Sequence, residues 1–134
     1  ALKTADLSGI DVKILLPGKS DGWFVQQSSM SFVKPLLEAG IEVYLYRKGF
    51  THAKILIVDG VLSTVGTANM DYRSFEVNLE VSAMIYDQKV SRVLEDQFFD
   101  DLKDSEAITL AKWSKRTIGQ KFVQSLARIF SPLL

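Results

Sequence analysis

The chain has 134 residues, 47% hydrophobic and 24% charged, and contains no cysteine. That length and balance fit one soluble globular domain and exclude a disordered, collagenous or coiled-coil chain. The missing cysteine excludes a disulfide framework, a thiol nucleophile and a Cys-based zinc site.

The net charge is zero, but its distribution is uneven. Residues 1–106 carry eleven Lys and Arg against sixteen Asp and Glu, a net of −5, whereas residues 107–134 carry five basic residues and no acid. This asymmetry divides the chain into a body, 1–106, and a basic tail of the same domain, 107–134, and points the tail toward an anionic surface. A nucleic-acid-binding domain is expected to be basic throughout, so no nucleic-acid partner is expected. The longest aliphatic run, Ile55–Val58, is far short of the roughly 20 apolar residues that cross a bilayer.

The chain opens on helix-like residues, Ala1–Leu7, before Ser8-Gly9, with no initiator Met. It is expected to be a piece of a longer protein. Asp11–Leu16 reads as a strand ended by Pro17-Gly18, and residues 18–22 as a loop. Residues 23–39 carry apolar side chains at near-helical spacing and stop at Gly40, with Pro35 expected to kink or split the helix. Ile41–Tyr46 and Ala53–Val58 read as strands, and Asp59-Gly60 favours a tight hairpin into Val61–Val65. Val77–Tyr86 alternates as a strand with two unlike faces. Residues 88–103 read as a surface helix with Val90, Val93, Leu94, Phe98 and Leu102 on its inner side. The expected fold is α/β, a mixed central sheet flanked by helices.

From Ile118 the tail places Phe122, Leu126, Ile129 and Phe130 on one helical face and Lys121, Gln124, Ser125 and Arg128 on the other. Such a basic amphipathic helix suits an anionic headgroup region. A helix packed on the domain, or on a missing partner, has the same pattern.

His52 is the only histidine, and Lys54 follows it in a strand-like run. Their side chains are therefore expected on one face, about 7 Å apart along the strand. Asn78 and Glu80 share the even face of the later strand. A carboxylate among Val77, Leu79 and Val81 is costly to bury without a partner, and His52 is the obvious one. A carboxylate bonded to Nδ1–H fixes the imidazole tautomer and leaves Nε2 free to act as nucleophile or base. The plain alternative is that Glu80 faces solvent.

His52-Ala-Lys54, four residues, Asp59, six residues, Gly66-Thr-Ala-Asn69, and then Arg73-Ser74 and Asn78-Leu-Glu80 resemble the HKD signature of the phospholipase D superfamily with its downstream extension. Within that superfamily, Leu15–Asp21, Gly49–Lys54, Tyr72–Phe75 and Ser131–Leu134 look like the second half of bacterial cardiolipin synthases. The resemblance covers essentially the whole chain and implies a phospholipase D-like domain. It implies His52 as one of two active-site histidines, Lys54 and Asn69 as phosphate-binding residues, Thr67 at a phosphate-contacting position, Glu80 as the group orienting His52, and Asp59 as the mainly architectural acid of the motif. Gly66 fits either a close approach to phosphate or a plain turn. Lys19, Arg47 and Lys48 lie in predicted loops and are candidates for further phosphate contact.

The implied reaction is phosphatidyl transfer between two phosphatidylglycerol molecules through phosphohistidine, giving cardiolipin and glycerol, with no cofactor and no metal. One histidine makes half a site, so the other half must come from the missing N-terminal half or a second copy. The full-length protein is then expected at the bacterial cell membrane, with this piece soluble and touching the membrane through its C-terminal helix. The rivals are a homodimeric phosphodiesterase or nuclease of the same superfamily and a non-catalytic lipid-binding domain.

Overall fold

The strands pair with two separate sets of partners and so build two sheets rather than one. The computed structural model describes residues 1–19 and 22–131. The first sheet joins β1 (Lys13–Pro17), β2 (Glu42–Tyr46) and β6 (Ser105–Ile108) in the order β1-β2-β6. β1 runs parallel to β2, and β6 runs antiparallel to it. The second sheet is an antiparallel meander of β3 (Ile55–Val58), β4 (Leu62–Gly66) and β5 (Ser82–Ile85). The α/β class and the mixed sheet agree with expectation, and the strands are divided between two small sheets flanked by helices.

The helices cover these sheets unequally. α1 (Leu2–Leu7) precedes β1, and the expected 23–39 helix is split into α2 (Trp23–Ser31) and α3 (Val33–Glu38). Pro35 is the third residue of α3, within the first turn, where its missing N–H would have no helical acceptor anyway. Had the helix run on, Ser31 would have lost its donor. Met30, Val33, Ile41, Val43, Ile108 and Trp113 form the core, with Ile14, Leu16 and Leu36 packed around it. The core therefore sits on the β1-β2-β6 side.

α5 (Gln88–Lys103) matches its expected span and packs across both sheets. Its buried face is rotated from expectation. Ser91 is fully buried, Leu94, Phe98 and Leu102 are half-buried, and Val90 and Val93 are exposed. Ser91 faces Ser63 of β4, also fully buried, and their hydroxyls lie 3.0 Å apart. Two small residues let the helix approach the strand closely, and each hydroxyl satisfies the other.

α6 (Leu110–Ser114) starts at Thr109, whose hydroxyl caps Lys112 N–H. α7 (Ile118–Ile129) starts at Thr117, which forms a capping box with Gln120. The division of the chain at residue 106 falls inside β6, so the basic tail begins as a strand of the first sheet. Ser20 and Asp21 of the expected loop, and the last three residues of the Ser131–Leu134 segment, lie outside the described residues.

The β3–β4 connection shows why Asp59-Gly60 is there. Val61 N–H bonds to Val58 C=O at 3.0 Å, and both central residues have positive φ, 52° at Asp59 and 60° at Gly60. Two positive φ values suit a hairpin to the strand twist, and Asp followed by Gly adopts them at low cost.

Ser91→Ala should lower stability by about 1–3 kcal/mol, because it strands the buried Ser63 hydroxyl. The pair Ser63→Ala with Ser91→Ala should cost clearly less than the two single changes added together. Urea denaturation of the three variants checks both statements.

Candidate functional site

In the antiparallel meander the start of β3, the end of β4 and the start of β5 lie at the same edge. Lys54 immediately precedes β3, Thr67 immediately follows β4, and Glu80 stands two residues before β5. Gly66 N–H bonds to Lys54 C=O at 3.1 Å and Thr67 N–H bonds to Val81 C=O at 2.9 Å, which extends the ladder past the strand ends. One sheet end thus collects His52, Lys54, Thr67, Asn69 and Glu80. Asp59 is at the opposite end, about 13 Å away along the four residues of β3. That distance makes Asp59 a turn residue, and no described hydrogen bond or ion pair engages its side chain.

Gly66 has a structural reason for lacking a side chain. A Cβ there would lie 2.1 Å from Ser82 Oγ and 2.6 Å from Val81 C=O. The β5 backbone passes where the side chain would be. This close approach is to protein and accounts for the glycine without a phosphate.

His52 and Lys54 precede the regular strand, which begins at Ile55, three residues after the histidine. Lys54 Nζ donates to His52 C=O at 2.9 Å. The exposed imidazole stacks on the Phe50 ring, with centroids 5.6 Å apart and planes at 21°. The flat contact restricts the ring's orientation and leaves its nitrogens open to an incoming group.

Glu80 is placed differently from expectation. Its carboxylate accepts hydrogen bonds from the Thr67 hydroxyl, from Ser74 Oγ at 2.9 Å and from Asn78 Nδ2 at 3.3 Å. Among the described residues none of its hydrogen bonds comes from His52. Residues 77–81 are irregular because β5 begins only at Ser82, so the side-chain alternation does not bury Glu80 among apolar neighbours. Val77, Leu79 and Val81 all point to solvent. The hydroxyls of Thr67 and Ser74 favour the ionised form and, with lesser help from the Asn78 amide and the Lys54 charge, hold the carboxyl below the usual glutamate range against the opposing effect of desolvation.

Thr67 joins the same network. Its hydroxyl donates to Glu80 and accepts from Val81 N–H at 3.0 Å. The hydroxyl proton points at Glu80, so Thr67 ties the end of β4 to that carboxylate. Asn69 is exposed, and its backbone N–H bonds to Ser74 Oγ at 3.0 Å. Arg47 pairs with Glu106, and Lys48 pairs with Asp104 at 2.8 Å. Both bridges hold the β2–α5–β6 corner. Lys19 is exposed.

The residue that sequence reasoning left without a role is Ser74. It is buried in α4 (Tyr72–Glu76), its own N–H is capped by Asp71 at 2.8 Å, and its hydroxyl accepts from Asn69 and donates to Glu80. One hydroxyl therefore ties the Asn69 loop to the Glu80 carboxylate. Arg73-Ser74 was visible as part of the motif, but the function of the hydroxyl depends on α4, a five-residue helix with no apolar periodicity of its own.

Residues 1–102 match the family described as cardiolipin synthase, PLD-like domain. The chain belongs to that family. It is similar over all 134 residues to proteins named cardiolipin synthase from Clostridium perfringens strain SM101, 46% identical, Listeria welshimeri, 43%, and Listeria monocytogenes serotype 4a, 42%. In each case the chain spans 28% of the relative's length. Among the described residues of this PLD-like domain no helix is long and apolar enough to cross a membrane.

Removing donors from Glu80 should raise its titration midpoint toward the ordinary value near 4.3, with Thr67→Val having a larger effect than Ser74→Ala, as carboxyl carbon NMR would read. A depressed folded-state value means that the stabilisation by ionised Glu80 is present above the ordinary carboxylate range and is lost as pH falls through the folded value. The melting temperature of Glu80→Gln should therefore fall less on acidification than that of the unaltered chain.

Proposed function

We propose that the full-length protein is a cardiolipin synthase that transfers a phosphatidyl group between two phosphatidylglycerol molecules, and that this domain supplies one of two HKD half-sites. The observation that carries the reading is the common sheet end that brings His52, Lys54, Asn69 and Glu80 together. The names of the curated relatives support the same chemistry.

His52 acts as nucleophile or as general acid and base. In the first step an imidazole nitrogen attacks phosphorus, the bond from phosphorus to the glycerol oxygen breaks, and the other histidine protonates the departing alkoxide. In the second step a hydroxyl of the second phosphatidylglycerol gives its proton to that histidine and attacks phosphorus, and the bond to the first histidine breaks. Lys54 and the Asn69 amide would meet the phosphoryl oxygens as their charge grows. Glu80 acts at one remove. It keeps a negative charge near Lys54 and, through Thr67 and Ser74, fixes the strand ends and the Asn69 loop.

The second histidine comes from the N-terminal half of the full-length protein or from a second copy. Support comes from the apolar surface around the site end. Met70, Phe75 and Leu79 are exposed there, and so are Leu56, Val58 and Met84 on the face of the meander opposite Ser63. An internal interface resembling a cut core has this composition. The full-length protein works at the bacterial cell membrane, where its lipid substrate resides.

In the full-length protein, His52→Ala should fold and lose cardiolipin formation by several orders of magnitude, as covalent catalysts do on losing a core residue. Asp59→Asn, at the far sheet end, should keep most activity. Thin-layer separation of lipid products reads both, and near-normal product from His52→Ala would end the assignment. The 134-residue chain alone should be inactive as a monomer, and turnover that stays first order in protein where light scattering finds only monomer would refute this.

A further inference from the structure

α7 packs with its apolar face outward. The residues it turns to the body are Gln124 and Ala127, both buried, with Val123 half-buried. Gln124 Nε2 donates to Gln27 of α2 at 3.2 Å, and Gln124 Oε1 accepts from Arg116. α2 is its principal neighbour. The apolar stripe, spaced three or four residues apart, faces solvent, with Ile118 85%, Phe122 69% and Ile129 72% exposed. The packing expectation for this helix therefore holds with a different face from the apolar one. It is packed on the domain, but through its polar and small residues.

The exposed stripe continues onto α2. The Phe130 ring lies 6.0 Å from that of Phe24, and Phe24 lies 6.4 Å from Trp23, whose indole is exposed. The apolar ridge along α7 is about 18 Å long at 1.5 Å per residue over its twelve residues. Lys121 and Arg128 lie on the helix sector beside the stripe, Arg128 being held over the Phe32 ring at 4.8 Å. Residues 107–134 contain no acid at all.

We infer that this ridge docks the domain on an anionic lipid bilayer, with α7 in the headgroup plane and Trp23, Ile118, Phe122, Leu126 and Ile129 toward the acyl chains. The choice of a bilayer rests on the phospholipid reading above. The net basic flank, where Glu38 faces Lys34, Arg116, Lys121 and Arg128 across one groove, complements anionic headgroups, and an amphipathic helix bordered by an indole and phenyl rings is the composition of an interfacial element. The proposed contact of the second HKD half lies elsewhere. It is required at the site end of the β3-β4-β5 meander, whereas α7 sits with α2, whose Met30 belongs to the core over β1-β2-β6.

The test uses the 134-residue chain and phosphatidylcholine vesicles with and without phosphatidylglycerol. Co-sedimentation should rise with phosphatidylglycerol and fall with added salt, as screening requires. Trp113 is buried, so a blue shift of tryptophan emission on vesicle addition reports Trp23, and Trp23→Phe should abolish it. Phe122→Ser with Ile129→Ser should weaken vesicle binding about tenfold or more. The melting temperature of that pair should hold or rise, since both side chains are exposed. Lys121→Glu with Arg128→Glu should remove the dependence on phosphatidylglycerol. Unchanged vesicle binding by the serine pair overturns the inference. So does unchanged vesicle binding together with loss of self-association, or of association with the remainder of the full-length protein, which would make the ridge a protein contact. Vesicle binding without cardiolipin formation by the full-length protein would count against the phosphatidyl-transfer reading alone.

Discussion

Antiparallel pairing of three short strands is the constraint on which the site depends. In a meander every second connection lies at the same edge, so the residues before β3, after β4 and before β5 must meet whatever their separation in the chain. The register fixes which ones: Ile55 opposite Val65 and Gly66 opposite Ser82. A one-residue slip would move Lys54, Thr67 and Glu80 out of line and exchange the two faces of the sheet. Gly66 guards that register, because any side chain there would strike the neighbouring strand.

The polar interior of the site has Glu80 at its centre. A half-exposed carboxylate with three donors is a strong acceptor hub, and here the donors come from the end of β4, from α4 and from the loop before β5. This hub leaves His52 to be oriented by other means, the stack on Phe50 and the backbone beside Lys54. Charge and orientation are thus supplied by different groups. Lys54 belongs to both, through its bond to the His52 carbonyl and its field on Glu80.

Much of this was legible in the chain. Pro35 marked the break between α2 and α3, Asp59-Gly60 marked the hairpin, and the α5 pattern marked its span, because each depends on local backbone chemistry. The motif residues were legible as a gapped set. What was not legible depends on non-local pairing. Alternation from Val77 to Tyr86 suggested a long strand, but β4 ends at Gly66 and pairs β5 only from Ser82, so residues 77–81 have no ladder to join. β6 was missed because Ser105-Glu-Ala-Ile108 has little strand character and is drawn into the sheet by β2. The hydroxyl pair of Ser63 and Ser91 and the orientation of α7 depend on which helix meets which surface.

The two sheets differ in the sequence distance that they span. The β3-β4-β5 meander closes within residues 55–85, whereas the β1-β2-β6 sheet joins Lys13 to Ile108 across almost the whole chain. Loop closure makes the first assembly entropically cheap and the second expensive. The sheet that carries the motif can therefore form while the chain is still incomplete, whereas the sheet that carries the core must wait for residues 105–108. Order of synthesis and order of assembly coincide for the chemistry, and stability arrives last.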